Sequence, residues 1–300
     1  MRILINRKPV DGPWGGGNLF VKSMCKFLPA MGHEIVHEFD ENIDLIFLQD
    51  PRYSDLGISI NEIVSYKKFK PETKIIHRVN ECDPRKGTND MDDLLRACSN
   101  YTDATVFVSN WIREYYEALG WSCPGMYVVY NGVDSDVFKP VKKHDNGRTN
   151  IVTHHWSNNF LKGFDIYDML DEFVGDNDDF SFTYIGREMG SFKNTKIVDP
   201  LHGEALGNEL GKYDVYVSAS RFDPGPNHIL ESLSCGIPTY VHEDGGGAVE
   251  FAGSQHSYKS FEQLKSTLLS KDYRANASIE LHGWKKCVEQ YNNVITTLDG

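Results

Sequence analysis

Three hundred residues allow two α/β domains of about 150 residues each, or one large domain. The 40% hydrophobic and 12% aromatic content is that of a globular enzyme, and a formal net charge of −12 excludes a protein built to grip nucleic acid, whose phosphates need a basic face. No apolar run approaches the roughly 20 residues of a membrane-spanning helix. Met1-Arg2-Ile3-Leu4-Ile5 reads as a first strand rather than a signal peptide. Six cysteines without CxxC spacing read as reduced thiols, so the expected location is cytoplasmic.

In chain order, strand-like apolar runs occur at 2–5, 34–39, 44–48, 74–79, 105–108 and 127–130, with helical periodicity at 18–31, 90–99 and 111–119. Strands alternating with helices predict βαβ units and a parallel sheet. The polar stretch 139–148 carries no core-forming pattern and reads as a linker. The alternation then restarts, with strands at 150–153, 180–185, 196–198, 215–218 and 239–241. Helices fit 163–174, 203–213, 226–235, 247–252 and 261–269, and a last amphipathic helix fits 279–298. The expected organisation is two Rossmann-like domains, 1–140 and 141–278, facing a cleft, and a terminal helix over 279–300.

The most informative stretch runs from Tyr213 to Pro238. Val215 to Ser218 has the β-branched and aromatic character of a central strand, a Gly/Pro loop follows, and Pro226 suits the first position of a helix. Gly236 and Pro238 stop that helix. The main-chain N–H groups of Asn227 and His228 would then open a helix at the carboxyl end of a strand, where open α/β sheets bind ligands and helix N-termini attract phosphate. Glu231, two turns in, is placed for vicinal hydroxyls such as a ribose, and Asp223, before the helix, for a second polyol. The set fits a ligand built as sugar, diphosphate and ribose.

Other motifs carry two readings each. Gly15-Gly16-Gly17 is a loop over which a ligand approaches the backbone, or a flexible turn, and its spacing is not that of a dinucleotide fingerprint. Lys162-Gly163 opens a helix with a lysine that would neutralise a diphosphate or stand solvated. His77, with Arg78, Asn80 and Glu81 behind it, is acid–base machinery at a strand end or a structural histidine. His154-His155 ends another strand and, with Trp156, would line the cleft. No zinc, serine-hydrolase or P-loop motif is present.

Taken in order, these pieces resemble glycosyltransferase family 4, retaining enzymes of the GT-B fold, over nearly the whole chain. Gly16-Gly17 with Gly32-His33-Glu34-Ile35 resembles the family's opening strand, loop, helix and second strand. Asp103 to Trp111 resembles its next strand and helix start, and Asn131-Gly132-Val133-Asp134 with Phe138 and Pro140 resembles the turn closing its first domain. Lys162-Gly163, the Asp223 to Glu231 pair, Cys235-Gly236-Ile237-Pro238 and Gly246-Gly247-Ala248-Val249-Glu250 resemble its donor-site motifs. His282-Gly283-Trp284 to Tyr291 resembles the terminal helix that packs back on the first domain.

The resemblance implies that Glu231 holds the ribose of a UDP- or GDP-type sugar donor and that Asp223 contacts its sugar. It implies that Lys162, Gly16, Gly17 and the main chain of Asn227 and His228 hold the diphosphate, and that Asp199 and Leu201 border the base. The catalytic set would be Lys162, Asp223 and Glu231, with no metal and no cofactor beyond the donor. His77, Asn80 and Glu81 would face a carbohydrate or glycoconjugate acceptor, with no nucleic acid and no stable membrane insertion. Two departures stand out: Asp223 is one methylene shorter than the usual glutamate, and Ser157 stands where the family has an arginine, a charge that Arg187 would replace. The rival expectations are a GT-B epimerase, which turns over donor without acceptor, and a nucleotide-sugar-binding protein that transfers nothing.

Overall fold

The computed structural model describes residues 1–12, 15–188, 192–277 and 279–299. The chain divides into two compact units, Met1–Asn131 with Trp284–Gly300, and Gly132–Gly283.

The first unit runs β1 (Arg2–Ile5), α1 (Gly15–Phe27), β2 (Glu34–Val36), β3 (Leu45–Leu48), α2 (Ile60–Phe69), β4 (Lys74–Val79), α3 (Asp83–Lys86), α4 (Met91–Ser99), β5 (Ala104–Phe107), α5 (Asn110–Ala118) and β6 (Met126–Val128). Its six strands form one sheet in the order β2-β1-β3-β4-β5-β6, and every pairing is parallel. Apolar residues alternate between two buried faces, as central parallel strands require. Ile3, Ile5, Phe47, Ile76 and Val106 face α1, while Leu4, Ile46, Leu48 and Ile75 face Ile60 and Ile63 of α2.

The second unit runs β7 (Thr149–His155), α6 (Phe164–Gly175), β8 (Phe180–Gly186), β9 (Lys196–Val198), α7 (Gly203–Leu210), β10 (Val215–Ser218), α8 (Asn227–Ser234), β11 (Thr239–His242), α9 (Gly247–Ala252), β12 (Ser257–Tyr258) and α10 (Phe261–Ser270). The strand order is β12-β11-β10-β7-β8-β9, again all parallel. Ile151, Phe182, Tyr184, Val215 and Val217 pack against Phe164, Tyr167, Leu170 and Phe173 of α6. The last helix, α11 (Trp284–Asp299), returns to the first unit, where Trp284, Cys287, Val288, Tyr291 and Ile295 complete the α1 core.

Several expectations change in detail. Gly15-Gly16-Gly17 forms the first turn of α1 rather than a loop. Pro226 caps α8 with φ −73° and ψ 107°, so the helix starts one residue later than expected. The linker 139–148 has neither helix nor strand but belongs to the second unit, against which its neighbours pack. Ser234 Oγ donates to the Phe138 carbonyl at 2.6 Å, and a side chain on Gly207 would collide with the Val137 carbonyl at 2.3 Å. Residues 133–141 are thereby seated on the second unit, which moves the division from 140 to Asn131.

Candidate functional site

Because both sheets are parallel, every strand of a unit delivers its following loop to one edge. In the second unit that edge receives His154 and His155 from β7, Arg187 after β8, Asp199 and Leu201 after β9, and the 219–226 loop after β10.

The 219–226 loop is held against its neighbours by main-chain bonds. Phe222 N–H donates to the Asp244 carbonyl at 2.7 Å, Asp223 N–H to Gly245 at 3.2 Å, and Gly247 N–H returns to Asp223 at 2.9 Å. Phe222 stands at φ +55°, a left-handed conformation that a bulky residue keeps only when its surroundings hold it there. Glycine is needed opposite, since a side chain on Gly247 would meet the Pro224 carbonyl at 2.4 Å. The glycine run 245–247 therefore serves the close stacking of two loops. Gly163 does the same on the other side. It sits at φ +92°, where a Cβ would lie 2.3 Å from the Ala219 carbonyl, and Arg221 N–H donates to Leu161 at 2.9 Å. The Arg221 guanidinium closes the join by gripping both carboxylate oxygens of Asp165, at 3.0 and 2.7 Å. Burial pushes the Asp165 carboxyl up, but Arg221 more than offsets it and holds it below the usual range.

This scaffold brings one ion pair and one histidine–carboxylate hydrogen bond to the edge. Lys162 Nζ lies 3.1 Å from Asp223 Oδ2, with side chains only 7% and 11% exposed. His154 Nε2 lies 2.8 Å from Glu231 Oε2, with exposures of 9% and 16%. Donation from Nε2 leaves the other ring nitrogen of His154 buried with no hydrogen-bond partner. The backbone of His154 is held in turn by Tyr216, whose hydroxyl accepts from its N–H at 3.2 Å. His228 turns its ring inward, with Nε2 3.0 Å from Ser218 Oγ, so that its main chain rather than its imidazole is presented at the start of α8. The His155 ring lies 4.9 Å from that of His228 and bonds Tyr167 at 2.7 Å. Among the described residues, no group of three or more His, Cys, Asp or Glu could hold a metal ion.

Of the residues singled out in the sequence, Lys162, Asp223, Asn227, His228 and Glu231 meet at this edge. Arg187 is exposed, and its guanidinium lies 4.0 Å from the ring centroid of Trp156, the neighbour of Ser157. Asp199 is exposed and Leu201 half-buried behind edge strand β9. Gly16, Gly17, His77, Asn80 and Glu81 lie in the first unit. There, a Cβ on Gly17 would come within 4.0 Å of Asn80 Nδ2. His77 is fully buried, 5.7 Å from the Trp121 ring, and burial depresses its imidazole to about 3. It packs under the sheet rather than presenting itself at the strand end. Sequence reasoning missed the His154–Glu231 and Arg221–Asp165 pairs; the only available signal was the unusual His154-His155 doublet at a strand end.

Two six-stranded parallel α/β units, with the last helix carried back to the first, define the GT-B fold. The structure of sucrose-phosphate synthase (tll1590) from Thermosynechococcus elongatus is similar at a TM-score of 0.73, with 13% identity over 99% of this chain and 98% of that one. Anabaena Alr3699/HepE in complex with UDP-glucose is similar at 0.70, with 13% identity over 99% and 100%. TarM is similar at 0.61, with 12% identity over 83% of this chain and 54% of that one. At such identities the likeness is one of fold. No protein-family model matches the sequence, and no curated protein matches it. Among the described residues, no helix is long and apolar enough to cross a membrane.

Proposed function

We propose that the chain is a retaining glycosyltransferase of family 4 that moves a sugar from a nucleotide-diphosphate sugar to a hydroxyl acceptor. The observation that carries this reading is the meeting of Lys162, Asp223, Glu231 and the N-terminus of α8 at one strand edge. A helix N-terminus and a lysine suit a diphosphate, and a carboxylate one turn along suits a ribose. HepE was solved with UDP, with UDP and glucose, and with UDP-glucose, which favours UDP as the base to try first.

In this reading the donor replaces Asp223 as the partner of Lys162 and leaves Asp223 to the sugar hydroxyls. Catalysis comes from fixed positive charge and N–H dipoles on the departing diphosphate. Arg187, next to Trp156, supplies the charge that Ser157 does not. Asn80 and Glu81, at the end of β4, border the acceptor in the first unit.

The test is calorimetric titration and thermal unfolding with UDP, GDP, ADP, dTDP and their sugars, using Glu231→Ala as the blank. A ligand at a hundred times its dissociation constant stabilises by about 2.7 kcal/mol. One base standing out, lost in Glu231→Ala and weakened in Arg187→Ala, is the expected result. No binding by any of the four would end the proposal. Binding with neither transfer nor release of UDP would favour the non-catalytic reading, which the missing arginine at Ser157 supports.

A further inference from the structure

The first unit holds a buried charge that no described residue balances. Arg78, on β4, is 1% exposed and forms no ion pair with any described residue. Its Nη1 donates to Gln49 Oε1 at 3.2 Å, its Nη2 to Asn131 Oδ1 at 2.9 Å, and its carbon Cζ lies 4.3 Å from the Phe20 ring centroid. Nε has no hydrogen-bond partner among the described residues. The carboxylates next in sequence to Gln49 and Asn80 are engaged elsewhere, Asp50 by Arg7 and Arg52, and Glu81 by Lys86. Buried charges are ordinarily paired, because desolvation costs several kcal/mol per ion.

The neighbours of Arg78 are arranged to donate as well. A guanidinium only donates, so Gln49 turns its oxygen to it and directs its NH2 away. That nitrogen lies 3.1 Å from where a Cβ on Gly17 would stand, beside Asn80 Nδ2 at 4.0 Å. Neither the Gln49 NH2 nor the Asn80 amide has a hydrogen-bond partner among the described residues. Gly17 belongs to the first turn of the 13-residue α1, where the helix adds partial positive charge and the missing side chain bares the main chain. Two unpartnered amide donors and a glycine helix start thus meet at one edge, with the buried guanidinium directly behind Gln49.

We propose that Gly17, Gln49, Arg78 and Asn80 form an oxyanion site for a substrate other than the sugar donor, one carrying a phosphate ester or a carboxylate. The missing negative charge would then arrive with the ligand. The site stands on the first unit alone, and calling its ligand a second substrate rests on the transferase reading.

The experiment titrates wild type and Arg78→Met with inorganic phosphate and, separately, with acetate, at fixed ionic strength and with UDP saturating. Thermal unfolding and calorimetry are the readouts. Phosphate or acetate should stabilise the wild type with UDP present, and Arg78→Met should bind it at least roughly tenfold more weakly while keeping its UDP affinity. Stronger binding of phosphate or of acetate tells which oxyanion the site prefers. Equal anion affinity in both proteins would overturn the proposal. So would loss of the anion effect on adding UDP, or weakened UDP binding in Arg78→Met, either of which would assign the group to the donor diphosphate. Gln49→Leu, which leaves the guanidinium in place, carries the same comparison if Arg78→Met does not fold. Absence of any UDP shift would count against the transferase reading and leave the anion comparison readable without UDP.

Discussion

His154 fixes Glu231 through one short bond between groups 77 residues apart in sequence. Removing a hydrogen bond to a charged group costs about 1.5–3 kcal/mol, so His154→Phe should weaken nucleotide binding ten- to a hundredfold by calorimetry. An unchanged affinity would show that Glu231 needs no such anchor. His77 makes a prediction of the opposite kind. Burial depresses its folded pKa to about 3 from the usual 6.5, so the unfolded chain takes up a proton that the folded chain refuses. Its contribution is complete above about pH 6.5 and is lost as pH falls toward 3, roughly 2 kcal/mol by about pH 5. His77→Leu should flatten the fall in urea midpoint between about pH 7 and pH 5; equal slopes would refute the assignment. At this scale the placement of Lys162, Asp223 and Glu231 at one strand edge was legible, because each follows from the strand–loop–helix pattern of its own neighbours in sequence. The partner of Glu231 was not, since no local spacing reports a contact between β7 and α8.

At the scale of elements, the loops around the candidate site are shaped by glycines that admit another backbone. Gly163 combines φ +92° with a carbonyl 2.3 Å from its absent Cβ. Gly163→Ala should therefore destabilise the protein by about 2 kcal/mol or more, read as a lower melting temperature. An unaltered melting temperature would mean the loop yields easily. The alternation of strands and helices was legible along most of the chain, because parallel strands buried on both faces leave unbroken apolar runs. α2 was missed because Lys67, Lys68 and Lys70 blur its apolar face, although Ser59 and Glu62 form a capping box that marks its start. β12 was missed because two residues, Ser257–Tyr258, carry no period.

For the whole molecule, the excursion of α11 sets which residues fold together. Trp284, Cys287, Val288, Tyr291 and Ile295 are buried in the first unit, and the Tyr291 ring lies 5.0 Å from that of Phe20. The apolar spacing of these residues was visible in sequence, but their destination came only from the family resemblance. The second unit, by contrast, is continuous in sequence, and its own two ends are joined: Val133 N–H donates to the His282 carbonyl at 3.0 Å. It follows that residues 132–283 form a cassette, whose entry and exit strands leave side by side. Expressed alone, the cassette should fold and, on the proposed transferase reading, bind UDP as the whole chain does by calorimetry; an unfolded fragment would refute its autonomy. A segment with adjacent ends can be lifted out, exchanged or re-opened at another loop without tearing either core.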